Sequence, residues 1–279
     1  MLVISQQSEM SEEVPVLGDV MQFKNIHHSL QSIFSVLSKE EFTGLPEFKD
    51  LTVIFRDVKA HTQKRTPHNS TSRKPFIVVE GLDGSGKTTV TRIVAEKMRA
   101  NCLSTPPNSL LHLRKKFDQF GPCKRRAFYA LGNYAAALEV EDTCKRKPVV
   151  MDRFWHSTAA YGIAEELDRH NGLAALPPPG NALYNWPWDL IKPDCVFLLT
   201  VSEETRNKRL GHRDIAITEE EKKLTDNSSF RALLLEAYKR MDNPPLTMID
   251  ANQELEAVVN DIVKHLSDCS LLPVNEESS

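Results

Sequence analysis

The chain has 279 residues, 41% hydrophobic and 26% charged, and its 35 basic against 38 acidic residues give a net charge of −3 at pH 7. That length can bury one large core or two modest ones, the lack of a basic excess argues against nucleic acid as the main partner, and no run of about 18 apolar residues is present to span a bilayer. The cysteines (Cys102, Cys123, Cys144, Cys195 and Cys269) are odd in number and contain no C-x-x-C pair, which argues against a disulfide scaffold or zinc ribbon and for a reducing compartment.

The first twenty residues carry Glu9, Glu12, Glu13 and Asp19 but neither Arg nor Lys. A mitochondrial presequence is Arg-rich and poor in acids, so this stretch does not read as one. Leu30, Ile33, Phe34 and Leu37 fall at helical spacing and predict an amphipathic helix around 27–38. Residues 51–58 (LTVIFRDV) suit either a strand or a short helix, and the polar, hydroxyl-rich stretch 61–75 reads as a linker. Residues 1–73 therefore form an N-terminal extension, a packing or partner appendage with no visible chemistry. A domain over 74–272 and a polar tail over 273–279 follow.

From Pro75 onward five short apolar runs appear: FIVVE (76–80), NCLST (101–105), PVVMD (148–152), CVFLLTV (195–201) and LTMID (246–250). Helical stretches such as 88–100, 124–145 and 229–242 separate them. Strands alternating with helices imply an α/β fold whose parallel sheet is covered on both faces. PPPGN (177–181) is a loop, and Trp186 and Trp188 read as packing residues.

GLDGSGKTT follows the first run directly, and its Gly81, Gly86, Lys87 and Thr88 fit G-x-x-x-x-G-K-[ST]. Gly81, Leu82, Asp83, Gly84, Ser85 and Gly86 would turn backbone N–H groups around phosphate oxygens, Lys87 would reach the β- and γ-phosphates, and Thr88, next to Thr89, would offer Mg²⁺ a hydroxyl. A strand before the motif and a helix after it weigh against a chance Gly-rich turn. PVVMD ends in Asp152, suited to hold Mg²⁺ through water. The next residue is Arg153, where motor and transporter hydrolases carry a Glu, which favours transfer to an acceptor over hydrolysis; a plain strand-end salt bridge is the alternative. The guanine-reading pattern of GTPases is missing, since Asn207-Lys208 continues into Arg209-Leu210.

Two basic clusters remain. Arg206, Arg209 and Arg213 recur at helical spacing and would share one face of an Arg-rich flap, followed by an acidic stretch, TEEEKKLTDN (218–227), expected to be flexible. A solvated helix face would look the same. Arg114, Lys115, Lys116, Lys124, Arg125 and Arg126 precede Phe128 and Tyr129. They suit either an acceptor monophosphate with its base stacked or an amphipathic helix with its rings in the core.

GLDGSGKTT, DRFWHSTAAY (152–161), WPWDLIKPD and R-x-x-R-x-x-x-R (206–213) together resemble the thymidylate kinase family over about 74–270. GNY (132–134), WHST (155–158) and the N-terminal extension resemble more narrowly a divergent mitochondrial branch that acts on UMP and CMP. The resemblance implies a P-loop kinase with a five-stranded parallel sheet, ATP as donor, a nucleoside monophosphate as acceptor, Mg²⁺ as cofactor, a mitochondrial location and room for a homodimer. By position it implies that Gly81–Thr89 and Arg206 hold ATP, that Thr88 and Asp152 hold the metal, that Asp83 approaches the acceptor sugar and Arg153 the transferring phosphate, and that Arg209 and Arg213 act from a lid. Ser157 and Tyr161 would meet the acceptor. Two family arginines are replaced here, by Asn108 and by Asn133, and Tyr129 takes the base-stacking place, with Arg114, Arg125 or Arg126 as candidate substitutes. These departures point away from thymidylate.

The resulting expectation is ATP-dependent phosphorylation of UMP, CMP, dUMP and dCMP, with catalysis by alignment and charge neutralisation through Lys87, Asp152, Arg153, Arg209 and Arg213. The alternatives are a thymidylate kinase, a deoxynucleoside kinase and a nucleotide-binding interaction module. A deoxynucleoside kinase would need a carboxylate base at the end of the second strand, where Ser104-Thr105-Pro106 stands.

Overall fold

The five apolar runs become five strands: β1 (Phe76–Gly81), β2 (Asn101–Ser104), β3 (Val149–Asp152), β4 (Cys195–Thr200) and β5 (Leu246–Asp250). All pair in parallel, in the order β2-β3-β1-β4-β5. The computed structural model describes residues 23, 25–39, 44, 46–63, 73–168, 176–211 and 219–272.

The period of two along a strand divides each run between two cores. Phe76 and Val78, Val149 and Met151, and Val196 and Leu198 face one core. Ile77 and Val79, Val150, and Phe197 and Leu199 face the other. Helices α3 (Lys87–Lys97) and α10 (Leu255–Asp268) close the second face with Val90, Val94, Val259 and Ile262. Helices α4 (Asn108–Asp118), α5 (Pro122–Thr143), α6 (Trp155–Asp168) and α9 (Ser228–Lys239) close the first. The two edge strands are less covered: β2 leaves its side chains largely exposed, and β5 buries only Ile249.

The expected N-terminal helix is α1 (Leu30–Leu37), with the Ser29 side chain accepting the Ser32 N–H at its start. Residues 51–58 fall inside the 18-residue helix α2 (Pro46–Gln63). There Phe48, Leu51, Phe55 and Val58, spaced 3-4-3, make one buried face. β-branched residues alone would equally suit a strand; the apolar face beginning at Phe48, upstream of the ambiguous stretch, decides for helix. These residues join the same continuous core as β1 and β3, and Asp189 ties the segment to the rest by accepting the Leu30 N–H at 2.8 Å and the Tyr134 hydroxyl.

Of the expected linker, 61–63 form the end of α2, while 64–72 lie outside the described residues, as does the tail 273–279. Between α5 and β4, Trp186 is buried against Phe154 and Trp155. Trp188, expected to pack, is instead 83% exposed; on an irregular loop, spacing does not determine which way a ring points. The acidic stretch expected to be flexible is the helix α8 (Glu219–Asp226), anchored by the fully buried Leu224.

Candidate active site

The carboxyl ends of β1, β3 and β4 open onto one edge of the sheet, the usual ligand side of such folds. β1 ends at Gly81, with φ +146°. A Cβ there would lie 2.7 Å from the Leu199 carbonyl oxygen, so only glycine fits between loop and β4. The loop ends at Gly86, which takes the N-cap position of α3 and has no side chain to satisfy the helix's first N–H groups. These donors and the positive end of the helix dipole face the loop. Lys87 lies back across it, its Nζ donating to the Leu82 carbonyl at 2.8 Å and standing 3.7 Å from Asp83 Oδ1. Burial, with the nearby charge of Arg153 adding to it, pushes the Lys87 pKa down to about 8. The loop thus gathers free helix-start donors, a helix dipole and a buried ammonium, the set that suits a phosphate.

Parallel pairing sets Asp152 opposite Val79. The Thr88 hydroxyl donates to Asp152 Oδ2 at 2.6 Å. The other oxygen, Oδ1, is buried without a hydrogen-bond partner. Arg153 follows with φ +65°, a left-handed turn that costs a side-chain-bearing residue about 1–2 kcal/mol. Its N–H donates to the Val79 carbonyl at 3.0 Å. Its guanidinium donates to Asp83 Oδ1 at 2.7 Å and to Ser157 Oγ at 2.9 Å. Lys87, Asp83, Asp152 and Arg153, drawn from the phosphate loop and the end of β3, therefore meet at one point.

Two cavities flank that point. The first, about 270 Å³, is lined by Gly84–Gly86, Thr89, Arg209, Ala251, Gln253 and Leu255 among others. Arg209, on α7 (Glu203–Gly211), donates to the Ser85 carbonyl at 3.2 Å and the Ala251 carbonyl at 2.9 Å. Arg206, one turn earlier, lies elsewhere: it is 1% exposed, donates to the Leu224 carbonyl at 3.3 Å and lines neither cavity. It packs behind the loop, where a Cβ on Gly84 would come within 2.8 Å of its Cγ. Arg213 lies outside the described residues. The lining after β5, Ala251 to Leu255, carries no motif; its only signal is its place at the carboxyl end of a predicted strand.

The second cavity, about 70 Å³, is lined by Asp83, Arg114, Arg126, Tyr129, Arg153, Ser157 and Tyr161, and also by Thr105, Pro106 and Thr158, which sequence reasoning missed. The basic and aromatic stretch divides here. Phe128 is fully buried and stacks on Phe117 at 4.6 Å. Its neighbour Tyr129 faces the cavity and donates to Asp118 at 2.7 Å. Arg126 reaches the cavity gripped by Glu165, at 2.8 Å through both Nε and Nη2. Arg125 binds the same carboxylate but lines neither cavity. Burial opposes the charge of Glu165, but Arg126 and then Arg125 hold its pKa below the usual range. Asn133 also stands outside the lining, one layer back, its amide donating to Thr158 Oγ1 at 2.9 Å.

The thymidylate kinase family model matches residues 79–262. The chain is 45% identical over 187 residues to the mitochondrial UMP-CMP kinase 2 of Homo sapiens, an alignment covering 67% of this chain and 41% of that protein's length. It is 32% identical over 145 residues to a probable thymidylate kinase of Methanocaldococcus jannaschii, covering 50% and 71% of the two chains. The solved thymidylate kinase of Candida albicans shares the fold, with a TM-score of 0.56 at 19% identity over 74% of this chain and 97% of that one.

Proposed function

This chain belongs to the thymidylate kinase family, and from that premise we propose that it is a nucleoside monophosphate kinase moving the γ-phosphoryl group of ATP onto UMP, CMP, dUMP and dCMP. The observation that carries the reading is the pair of cavities divided by consecutive residues: Gly84 lines the first and Asp83 the second, beside Arg153. Donor and acceptor seated in them would meet at Lys87 and Arg153, so the two cations would neutralise the migrating group between its old and new oxygens. An acceptor phosphate is already an anionic nucleophile and needs no strong base. No carboxylate enters the second cavity from the end of β2, where Thr105 and Pro106 stand; this supports a phosphate over a hydroxyl acceptor.

The first cavity would take ATP, with Arg209 beside the loop; the family resemblance adds Arg213 to its cations. In the second, Arg114, Arg126 and Arg153 would hold the acceptor's phosphate, and Tyr129 its base. The neutral Asn133–Thr158 pair supports a remodelled base pocket, and the human relative's name supports uracil and cytosine as its occupants and the mitochondrion as its location. Arg206 takes a supporting place under the loop rather than a contact with ATP. Mg²⁺ fits the residues present: Asp152 has one carboxylate oxygen unpartnered and the other on the Thr88 hydroxyl, so these two would hold it together with nucleotide oxygens. Bound there, the ion supplies positive charge for the phosphate oxygens.

A coupled assay of ADP release over a panel of nucleosides and monophosphates tests the reading. UMP, CMP and their deoxy forms should support turnover above that with dTMP or any nucleoside. Turnover with nucleosides but with no monophosphate would overturn it.

A further inference from the structure

Glu80 closes the run FIVVE as its one charged residue and is fully buried. Three donors converge on it, with a further hydroxyl beside them. Oε1 accepts the N–H groups of Phe154 at 2.8 Å and Ser157 at 3.3 Å. Oε2 accepts the Ser157 hydroxyl; the Tyr238 hydroxyl on α9 stands 3.3 Å from Oε2 but 2.8 Å from Ser157 Oγ, so with the serine proton on Glu80 the tyrosine donates to the serine oxygen. Phe154 directly precedes α6 and Ser157 lies in its first turn, so a carboxylate from another strand caps that helix and offsets its orphan amides. Burial pushes the Glu80 carboxyl up from its ordinary range, yet every one of these partners is a donor, which is what an ionised, acceptor-only group requires.

We propose that Glu80 is a positioning residue for Arg153, a role that rests on the kinase reading above. It acts by two routes. By holding the Phe154 N–H it braces the left-handed turn at Arg153. By taking the Ser157 hydroxyl proton it turns a lone pair of Ser157 Oγ toward Arg153 Nη1, which donates there at 2.9 Å. The guanidinium is then held at two points, Ser157 on one side and Asp83 on the other, before any phosphate arrives. In a Glu80→Gln variant the amide at the Oε2 position would donate to Ser157, driving the serine proton toward the guanidinium and opposing the contact.

The test is a double-mutant cycle read in kcat. Glu80→Gln should lower kcat about tenfold or more, the scale of one charge-assisted hydrogen bond, while KM for ATP moves less than about twofold. In an Arg153→Ala background the same substitution should cost almost nothing further, because its target is gone. Ser157→Ala, which leaves the Glu80 carboxylate in place, should show the same non-additivity and decides the matter should Glu80→Gln fail to fold. Full additivity in both cycles, or equal losses in kcat and ATP affinity, overturns the positioning role while the wild-type enzyme still turns over. A wild-type chain inactive on every monophosphate overturns the kinase reading itself, and this role with it.

Discussion

Lys87 should be a stability liability as well as a functional group, and replacing it by Met should separate the two. The side chain is 6% exposed, and its pKa is lowered from 10.5 to about 8. At roughly 1.4 kcal/mol per pH unit this difference represents about 3 kcal/mol against the charged form in the folded chain. Below about pH 8 the lysine is charged in both folded and unfolded states, so the full penalty applies. Between about 8 and 10.5 the folded state releases its proton while the unfolded state keeps it, so the penalty fades with rising pH; above that window it is gone. Met fills a similar volume without charge but forfeits the hydrogen bond to the Leu82 carbonyl, worth about 1 kcal/mol. The variant should therefore be more stable than the wild type by about 2 kcal/mol at pH 7, or about 3 °C in Tm for a chain of this size. Thermal unfolding at pH 7 and pH 10, with and without ATP and Mg²⁺, measures this. ATP should raise the Tm of the wild type far more than that of the variant, and turnover should be lost with Lys87. A variant less stable than the wild type at pH 7 without nucleotide, or a gap that does not shrink by pH 10, refutes the reasoning.

Arg213→Ala should lower kcat more than it raises KM for the acceptor, since a lid cation acts mainly on the transition state; a pure KM effect would assign Arg213 to ground-state binding. Gly84→Ala adds a Cβ at φ +84°, 2.8 Å from Arg206 Cγ. The backbone should cost about 1–2 kcal/mol and the crowding about 1–3 kcal/mol, visible as a lower Tm; an unchanged Tm would mean that Arg206 does not back the loop. A chain starting at Arg73 lacks α1 and α2 and uncovers the apolar surface on α5 that they bury. It should aggregate or unfold well below the full chain, and a soluble product with the same Tm would show that the extension is dispensable.

Much of this site was legible because its geometry is local. Nine contiguous residues, Gly81 to Thr89, specify the end of a strand, a turn with glycines at positive φ and a helix start. The three central strands β1, β3 and β4 were equally legible, since a run buried on both faces carries an uninterrupted apolar signal, while the edge strands β2 and β5 were marked by their place between helical stretches. Parallel pairing then brought Asp152 and Arg153 beside the loop, because both strand ends open onto the same edge of the sheet.

What sequence could not decide is which way a side chain on a given element faces, because distant residues settle it. Arg206 and Arg209 stand three apart on one helix, yet Leu224 of α8 and Gly84 enclose the first while the second opens onto the larger cavity. Phe128 and Tyr129 are neighbours, yet Phe117 takes one into the core and Asp118 holds the other at the acceptor cavity. Glu80 stood inside an apolar run with no role assigned, and its three donors come from residues more than seventy positions away. Covalent neighbours dictate backbone turns and buried runs; the solvation and pairing of each charge depend on chain segments that only the folded packing brings together.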